Sequence, residues 1–373
     1  MDSISIHKKL RGKLAISGKA RISSIEDLST LYTPGVAEPC KEIEKDKSLV
    51  YDYTMKWNTV GIVTDGSRVL GLGNIGPEAS LPVMEGKALI MQQFAGIDAF
   101  PICLDTQDED EIVRTVKAIS PVFGAINLED METPKVFRVE KRLTDELGIP
   151  VFHDDQHGTA VVVLAGLYNA LKVLGKDQDV KIAMVGAGSA GYAITKLLSA
   201  AGFRDIVVFD SKGAIHKSRE LDDYKEELAV FNQSDYSGTI SDFKEADVII
   251  SAASPGALPL EAIKAMNKPN IVFALANPVS EISLEQAKEL GIDVFGTGRS
   301  DYPNQINNSL CFPGFLRALL DLRVKKITNE MKIAAAKGIA ESVKEPAKGM
   351  IVPDVFDKSV VDNIRAKVKE AIR

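Results

Sequence analysis

A glycine-rich turn between an apolar strand and a helix constrains the fold of this chain more than any other feature. The run 181–185, predicted as a strand, leads directly into a turn with the spacing G-x-G-x-x-G. The first glycine permits a tight turn, the second lets the backbone approach a pyrophosphate, and the third lets the following helix pack closely. The next predicted strand ends in an acid that would accept hydrogen bonds from an adenosine ribose. We therefore predict a dinucleotide site at Gly186, Gly188, Ser189, Ala190, Gly191 and Asp210.

The identity of the dinucleotide depends on charges near Asp210. A carboxylate at this position favours NAD, because it would repel the 2′-phosphate of NADP. Lys212 and Lys217 lie close by in the sequence and could bind that phosphate, and the hydroxyl of Ser211 could donate to it. NAD is the preferred expectation and NADP remains possible.

The rest of the chain alternates strands and helices, which predicts an α/β fold with mainly parallel sheets. A length of 373 residues exceeds one ordinary core, so we expect two domains. We expect an N-terminal α/β catalytic and metal domain at 1–157, a doubly wound Rossmann-type NAD(P)-binding domain at 158–298, and a helical segment at 299–373 that packs back over the first domain. Predicted strands occupy 60–64, 69–72, 99–104, 125–128, 149–152, 181–185, 206–209, 248–251, 271–275 and 294–295, and the clearest helices 82–93, 109–119, 159–174 and 327–343.

Two acidic pairs follow predicted strands of the first domain. Glu129-Asp130 comes after 125–128, and Asp154-Asp155 comes after 149–152. Ligands of open parallel sheets bind at the carboxyl ends of the strands, and clustered carboxylates suit Mg²⁺ or Mn²⁺ better than zinc. Acids at these positions also serve as ordinary helix caps, so spacing alone leaves both interpretations open. His153 and His157 are expected to be structural hydrogen-bonding residues rather than ligands.

Composition excludes several classes of function. The formal net charge is −7, which disfavours nucleic-acid binding, because that binding depends on neutralising phosphates. The N-terminus has no apolar signal region, and the most apolar stretch, 159–168, is too short to span a bilayer. We expect a cytoplasmic protein without a membrane partner, in which Cys40, Cys103 and Cys311 stay reduced.

Several further motifs, in order along most of the chain, resemble those of the malic enzyme family, and of its small prokaryotic type. They are 32–37 (YTPGVA), 64–73 (TDGSRVLGLG), 85–87 (EGK), 128–130 (LED), 152–160 (FHDDQHGTA), the glycine turn, 276–278 (ANP), and 307–308 (NN) before 312–314 (FPG). The resemblance implies oxidation of (S)-malate to pyruvate and CO₂ with NAD or NADP and Mg²⁺ or Mn²⁺. It also implies a homodimer.

The same resemblance implies roles for individual residues. Glu129, Asp130 and Asp155 would be the metal ligands, and Asp154 would lie just behind them. Lys87 would be the base that takes the proton of the substrate hydroxyl, and Tyr32 would be the acid that protonates the enol of pyruvate. The substrate carboxylates and the nicotinamide end would be held by Arg68, Asn277 and Asn308.

The role of Lys87 requires a lowered pKa, since a free lysine titrates at about 10.4. Burial and an adjacent divalent cation would lower the pKa, whereas Asp154 would raise it. Two alternatives remain open. One is a metal-independent amino-acid or hydroxy-acid dehydrogenase that does not decarboxylate, and the other is a non-catalytic nucleotide sensor that keeps the glycine turn.

Overall fold

The computed structural model describes residues 2–372, and its first half is built on a four-stranded parallel sheet. The spatial order is β2-β1-β3-β4, and the central strand β1 is a β-branched run that is buried along its whole length. Strand β2 lies at the edge and is only half-buried. The strands are β1 (Thr59–Thr64), β2 (Asp98–Cys103), β3 (Ala125–Leu128) and β4 (Val151–His153).

Helices connect these strands and precede them. Helix α5 packs on β1 and β2, and α6 packs on α7. The helices of this half are α1 (Ser3–Leu10), α2 (Ile25–Leu31), α3 (Ala37–Lys45), α4 (Val50–Tyr53), α5 (Gly76–Ala95), α6 (Glu109–Ile119), α7 (Lys135–Glu146) and α8 (Asp154–Leu174).

The second half contains a six-stranded sheet in the order β10-β9-β8-β5-β6-β7. All its pairs are parallel except the short antiparallel pair β6–β7. Strand β5 lies between β6 and β8, so the strand order reverses beside it, which opens a crevice at its carboxyl end. The strands are β5 (Ile182–Val185), β6 (Ile206–Asp210), β7 (Gly213–Ala214), β8 (Val248–Ser251), β9 (Ile271–Ala274) and β10 (Val294–Thr297).

The C-terminal helices join the two halves. Helix α13 packs on α5 of the first half, and α14 packs on both α8 and α15. The buried side chain of Asn169 on α8 donates hydrogen bonds to the carbonyl oxygens of Ala340 at 3.0 Å and Ile351 at 2.9 Å. The remaining helices are α9 (Ser189–Ala200), α10 (Asp223–Ala229), α11 (Leu260–Lys264), α12 (Leu284–Glu289), α13 (Phe312–Asp321), α14 (Asn329–Ser342) and α15 (Ser359–Ile372).

The α/β architecture with a Rossmann-type sheet is confirmed, but three elements differ from expectation. Residues 69–72 form no strand; Val69 makes only an isolated bridge with Gly73, because the glycine-rich loop turns back on itself. Helix α5 begins six residues before Pro82, which it accommodates inside its first two turns. Helix α8 begins at Asp154 rather than Thr159, so the second acidic pair lies in its first turn.

One helix, α8, is long and apolar enough to span a membrane when length and composition alone are considered. Its most apolar window is 67% buried within the fold. Helix α8 packs on α9 and α14 and contacts β4, and its burial is that of a helix in the core of a folded protein.

The contact of Asn169 with the C-terminal segment can be tested by substitution. Asn169→Ala removes both hydrogen bonds in a buried setting and should lower the free energy of unfolding by roughly 1–3 kcal/mol. Urea denaturation followed by circular dichroism measures the change. Asn329→Ala, at an exposed position, is the matched control and should have the unfolding midpoint of the parent; an equal midpoint for Asn169→Ala would contradict the assignment.

Candidate active site

The carboxyl ends of three adjacent strands place acidic residues side by side. Leu128 of β3 pairs with Val63 of β1 on one side and with His153 of β4 on the other. The residues that follow these strands therefore emerge at one edge of the sheet, which is where ligands of parallel sheets bind. The structure thus brings together the two acidic pairs, one after β3 and one after β4.

Three carboxylates of this edge form a compact oxygen cluster. One ligand atom from each of Glu129, Asp130 and Asp155 lies within 4.8 Å of the others. The Oδ2 atom of Asp130 is buried without a hydrogen-bond partner among the described residues. Burial, and the mutual repulsion of the acids, raise the pKa of Asp130 to about 7 and that of Glu129 well above its usual range. An all-oxygen set of this kind fits Mg²⁺ or Mn²⁺, whose charge would relieve the repulsion.

Lys87 of α5 lies against this cluster and is itself buried. Its ammonium group contacts Glu129 Oε1 at 2.5 Å and forms a short ion pair with the carboxylate of Asp154. The ammonium also lies 4.5 Å from the ring centre of Phe312 on α13. Burial lowers the pKa of Lys87, but the charges of Asp154, Glu129 and Asp155 outweigh it, and the net shift is upward. In the protein alone Lys87 is therefore an ammonium. A cation bound to the acids would offset their negative charge and so lower the pKa of Lys87.

A chain of hydrogen bonds supports the cluster from behind. Asp155 Oδ2 lies 3.3 Å from His153 Nε2 and also accepts the backbone N–H of Asp130 at 3.0 Å. The other ring nitrogen of His153 contacts the amide of Gln156, which donates to Glu140 of α7 at 3.0 Å. Burial alone would raise the pKa of Asp155, but the bond and charge of His153 lower it to about 2. Both His153 and His157 make structural hydrogen bonds, the latter to Glu140 at 2.8 Å.

The loop after β1 carries Arg68 toward the same edge. Asp65 is fully buried and accepts two hydrogen bonds from Ser67, while its other oxygen pairs with Lys135 Nζ at 2.5 Å. This buried ion pair ties the loop to α7. The backbone N–H of Arg68 then donates to the carbonyl oxygen of Asp130 at 3.0 Å, which places Arg68 beside the acids.

The glycine turn has the geometry that a dinucleotide requires. Gly186 has φ 103°, in the left-handed region that glycine adopts without strain. A Cβ on Gly191 would overlap the carbonyl oxygen of Gly186, so only glycine lets α9 start this close to β5. Gly188 faces open space, with nothing within 4 Å of where its Cβ would be. Ser189 and Ala190 begin α9, whose N-terminal N–H groups point into that space.

A cleft of about 260 Å³ joins the acidic edge to the glycine turn. Its walls include Arg68, Asp130 and Asp155 from the first half, and Ser189 and Ala190 from the second. Across it, Thr133 Oγ1 forms a 2.5 Å hydrogen bond with Ser189 Oγ. The metal-type cluster and the dinucleotide-type turn thus face a single space.

Asn277 and Asn308 are not among the residues that line the cleft, although Asn277 follows the lining residue Ala276. Asn308 begins the turn before α13. Its Cβ lies 3.1 Å from the position that a Cβ on Gly158 would occupy, and Gly158 is one helical turn beyond Asp154. Asn277 follows β9, donates to the carbonyl oxygen of Gly298 at 3.0 Å, and stands beside Gly71 of the loop after β1.

The structure does not bring the predicted acid Tyr32 to the acidic cluster. It follows α2, its side chain is 64% exposed, and within residues 2–372 it forms no hydrogen bond with Lys87 or the acids.

Asp210, at the end of β6, is held by cations. Arg219 binds both carboxylate oxygens, and Lys225 lies 3.1 Å from one of them. Burial by itself raises the pKa of Asp210, but these donors and the N–H of Lys212 lower it to about 2.

Comparison with known proteins agrees with this arrangement. The family profile described as malic enzyme, N-terminal domain, matches residues 11–144, and the profile described as malic enzyme, NAD binding domain, matches residues 156–293 and 292–372. The chain belongs to the malic enzyme family. A bifunctional malic/malolactic enzyme from Bacillus subtilis (strain 168) is 52% identical over 377 residues, covering 99% of this chain and 92% of that protein.

Two further members of the malic enzyme family are similarly close. An NAD-dependent malic enzyme from Geobacillus stearothermophilus is 51% identical over 366 residues, 96% of this chain and 76% of that protein. The crystal structure of an NAD-dependent malic enzyme from Thermotoga maritima superposes with a TM-score of 0.95 at 45% identity and covers 99% of both chains.

Sequence reasoning missed several polar residues of this malic enzyme fold. Thr133, Glu140 and Lys135 belong to no motif of the chain, and their contacts cross between separate elements. Arg219 and Lys225 lie nine and fifteen residues after Asp210 and could have been suspected as basic residues downstream of the strand end. Only a structure shows that they, rather than the exposed side chains of Lys212 and Lys217, contact the carboxylate.

Substitutions of Gly188 and Gly191 should affect different properties, cofactor affinity for the first and thermal stability for the second. Gly188→Ala meets no atom of the protein, and its backbone (φ −81°) suits alanine, so thermal stability should be unchanged. Its methyl group would stand where a pyrophosphate approaches, so affinity for NADH should fall by about 10-fold or more, the loss of hydrogen bonds to a charged group. Gly191→Ala should instead lower the melting temperature. Fluorescence titration and thermal melts measure both.

Gly148→Ala, which also meets open space and lies outside the turn, is the control for the substitution itself. The interpretation of Gly188 is wrong if Gly188→Ala binds NADH as tightly as Gly148→Ala does.

Proposed function

We propose that the chain catalyses the oxidative decarboxylation of (S)-malate to pyruvate and CO₂, with reduction of a nicotinamide dinucleotide and a divalent metal, Mg²⁺ or Mn²⁺. The observation that carries this proposal is a cleft whose walls include Asp130 and Asp155 of the acidic cluster and Ser189 and Ala190 of the dinucleotide turn. The third acid of the cluster, Glu129, is paired with the buried Lys87. Membership of the malic enzyme family and the names of the close relatives support it. NAD is the expected cofactor from Asp210, with NADP possible.

Three side chains would hold the metal, namely Glu129, Asp130 and Asp155. A divalent ion there supplies Lewis-acid stabilisation of the negative charge that develops on the substrate oxygen. Asp154, buried and paired with Lys87, would set the position of the ammonium group rather than bind metal. Arg68, which lines the cleft, and Asn277 and Asn308, which do not line it, would bind substrate carboxylate or the nicotinamide end.

Proton transfer would be divided between two residues. Lys87 would first lose a proton to solvent, which a divalent cation on its carboxylate partners would favour, and the neutral amine would then take the proton of the C2 hydroxyl as hydride leaves C2. Loss of CO₂ leaves an enolate, and Tyr32 would give the proton that C3 needs to become the methyl group of pyruvate. The two transfers balance, since one proton leaves oxygen and one reaches carbon.

The parts of the chain would share this work by segment. Residues 1–157 would supply the metal and the catalytic groups, 158–298 the dinucleotide site, and 299–373 the wall that includes Asn308. We also propose a cytoplasmic location, in which the three cysteines, free in the structure, stay reduced.

The proposal predicts a product and a dependence on metal. With (S)-malate, Mn²⁺ and NAD or NADP, the protein should form pyruvate, CO₂ and reduced cofactor in equal amounts, and excess chelator should stop the reaction. Lys87→Ala should lower kcat by about 10²–10⁴-fold, the usual contribution of a general base. Calorimetry should show that this variant still binds Mn²⁺, whereas Asp155→Asn does not.

Glu132→Gln, an exposed acid two residues from Asp130, is the control and should behave as the parent. Turnover to oxaloacetate that survives complete chelation would instead favour a metal-independent dehydrogenase without decarboxylation. Cofactor binding without turnover on malate and Mn²⁺ would favour a nucleotide sensor.

We propose in addition that the protein is a homodimer. None of residues 2–55 is buried, and of the 23 exposed large apolar side chains that the structure describes among residues 2–372, 14 lie between residues 4 and 57. This density of exposed apolar groups is typical of a surface that another chain covers. Beside it, a groove of about 960 Å³ is lined by Ile16, Met55 and Trp57 together with Phe100 of the edge strand β2. Tyr32 lies on the same exposed segment.

The dimer should depend on this apolar segment. Ile25, which is 83% exposed on α2, would carry a charge into the interface as Ile25→Asp, and the particle mass should fall to that of one chain, 40.4 kDa. Val230→Asp makes the same kind of change at an apolar residue that is 57% exposed elsewhere, and it should leave the dimer intact. Sedimentation equilibrium measures both. A monomeric parent protein would refute the assembly.

A further inference from the structure

A buried acid, Glu281, lies behind one wall of the cleft and is not one of the groups assigned to catalysis. It follows the end of β9, and it is only 6% exposed. Its Oε1 accepts the backbone N–H of Ala253 at 3.3 Å, and its Oε2 accepts the backbone N–H of Ala276 at 3.0 Å. Among residues 2–372 it forms no salt bridge, so its partners are backbone N–H groups rather than a cation.

The two N–H groups belong to loops that follow neighbouring strands. Ala253 lies two residues after β8, and Ala276 lies two residues after β9. The last residues of these strands are paired, so both loops leave the sheet side by side. Ala252 and Ala253 of the first loop and Leu275 and Ala276 of the second line the cleft. Glu281 therefore joins two loops that together form one wall.

These loops also touch the rest of the site on opposite sides. The carbonyl oxygen of Ala252 lies 2.7 Å from the position that a Cβ on Gly186 would occupy, so the loop after β8 packs on the glycine turn. The Cδ of Pro278 lies 3.2 Å from the corresponding position at Gly71, in the loop after β1. The bonds of Glu281 thus lie between a contact with the dinucleotide turn and a contact with the first half of the chain.

The order of the strands indicates which half of a dinucleotide this wall would face. The glycine turn follows β5, and Asp210, the expected partner of the adenosine ribose, ends β6 on one side of it. Strands β8 and β9 lie on the other side of β5. A dinucleotide bound across the crevice would therefore extend its nicotinamide half over the loops after β8 and β9. Asp130 and Asp155 line the same cleft, which would bring the ring close to the substrate.

We propose that Glu281 is a positioning residue for the nicotinamide half of the cofactor. By accepting one N–H group from each loop, it keeps both loops in the arrangement that receives the ring before the cofactor arrives. Binding then does not have to order them, which preserves affinity. The inference rests on the proposed function, because it concerns the same dinucleotide site.

Two ligands that differ in the nicotinamide ring test this role by calorimetry. The probes are NADH and ADP-ribose, or NADPH and the 2′-phosphate of ADP-ribose if the parent protein binds that pair more tightly. Glu281→Gln keeps the shape of the side chain, but its amide N–H₂ would face a backbone N–H, so only one loop stays bonded. Affinity for the reduced cofactor should fall by about 10-fold, as expected if the released loop keeps its bound arrangement about a tenth of the time. Affinity for the fragment, which lacks the ring, should stay within about twofold of that of the parent.

Glu289→Gln is the matched control for the substitution. It makes the same chemical change at an exposed acid of α12. Both affinities should equal those of the parent.

Hydrogen–deuterium exchange in the parent protein tests the same bonds without a variant, and it decides the question if Glu281→Gln does not fold. The amides of Ala253 and Ala276 should exchange at least about 10-fold more slowly than that of Ser254, because each is bonded to a buried oxygen. Ser254 is exposed, and its N–H makes no hydrogen bond within residues 2–372. Mass spectrometry with fragmentation along the backbone measures the three amides.

Three results would overturn the inference. Equal losses of affinity for the reduced cofactor and the fragment in Glu281→Gln would show a general disturbance of the fold rather than an effect on the nicotinamide half. Unchanged affinity for the reduced cofactor would show that the loops do not need this acid. Exchange of Ala253 and Ala276 as fast as that of Ser254 would show that Glu281 does not hold them. Failure of the parent to bind any of the probes would instead refute the proposed function itself.

Discussion

Buried charge that must be balanced is the constraint on which the catalytic half of this protein depends. Lys87 is enclosed by Glu129, Asp154 and the ring of Phe312, and removing the lysine would leave two buried carboxylates without their cation. Four elements meet at this lysine. Helix α5 delivers the lysine, the ends of β3 and β4 deliver the acids, and α13 covers them from the C-terminal segment. The positions of these side chains are therefore determined mainly by the pairing of opposite charges.

The second sheet contributes a different kind of electrostatics to the same cleft. Its glycine turn offers backbone N–H groups and a helix N-terminus, which favour anions without any charged side chain. The first sheet offers the reverse, a cluster of acids that favours cations. The bond between Thr133 and Ser189 holds these two opposed surfaces in contact, and Phe137 packs on Tyr192 with ring centres 4.8 Å apart to support it. Opposite charge preferences on the two walls suit a ligand pair that includes both a metal and a phosphate-bearing cofactor.

Much of this architecture could be predicted from the sequence, because local patterns determine it. The strand β3 and the helix α6 have the predicted bounds, since apolar runs and an acidic first turn specify them. Residues 69–72 were predicted wrongly as a strand. Their valine and leucines are typical of strands, but the glycines in this segment allow a turn, and Val69 bridges only Gly73. The contacts of Glu140, Lys135 and Thr133 could not be predicted, because each joins elements distant in sequence. The contacts of Arg219 and Lys225 with Asp210 could not be predicted either, because they depend on the path of the chain after β7.

Helix α8 carries a consequence for how such a protein can be divided or recombined. It runs without a break from Asp154 to Leu174, and so it crosses the expected boundary between the two domains at 157. Its first turn bears Asp154 and the cluster residue Asp155, while its later turns are buried against α9 and α14. A chimera joined at residue 157 would combine two parts of the same helix. An insertion or deletion at the junction would change the helical phase and rotate Asp155 away from Glu129 and Asp130. The boundary at 157 separates two expected functions, but it lies inside one helix. A gene fusion made there would therefore disrupt helix α8.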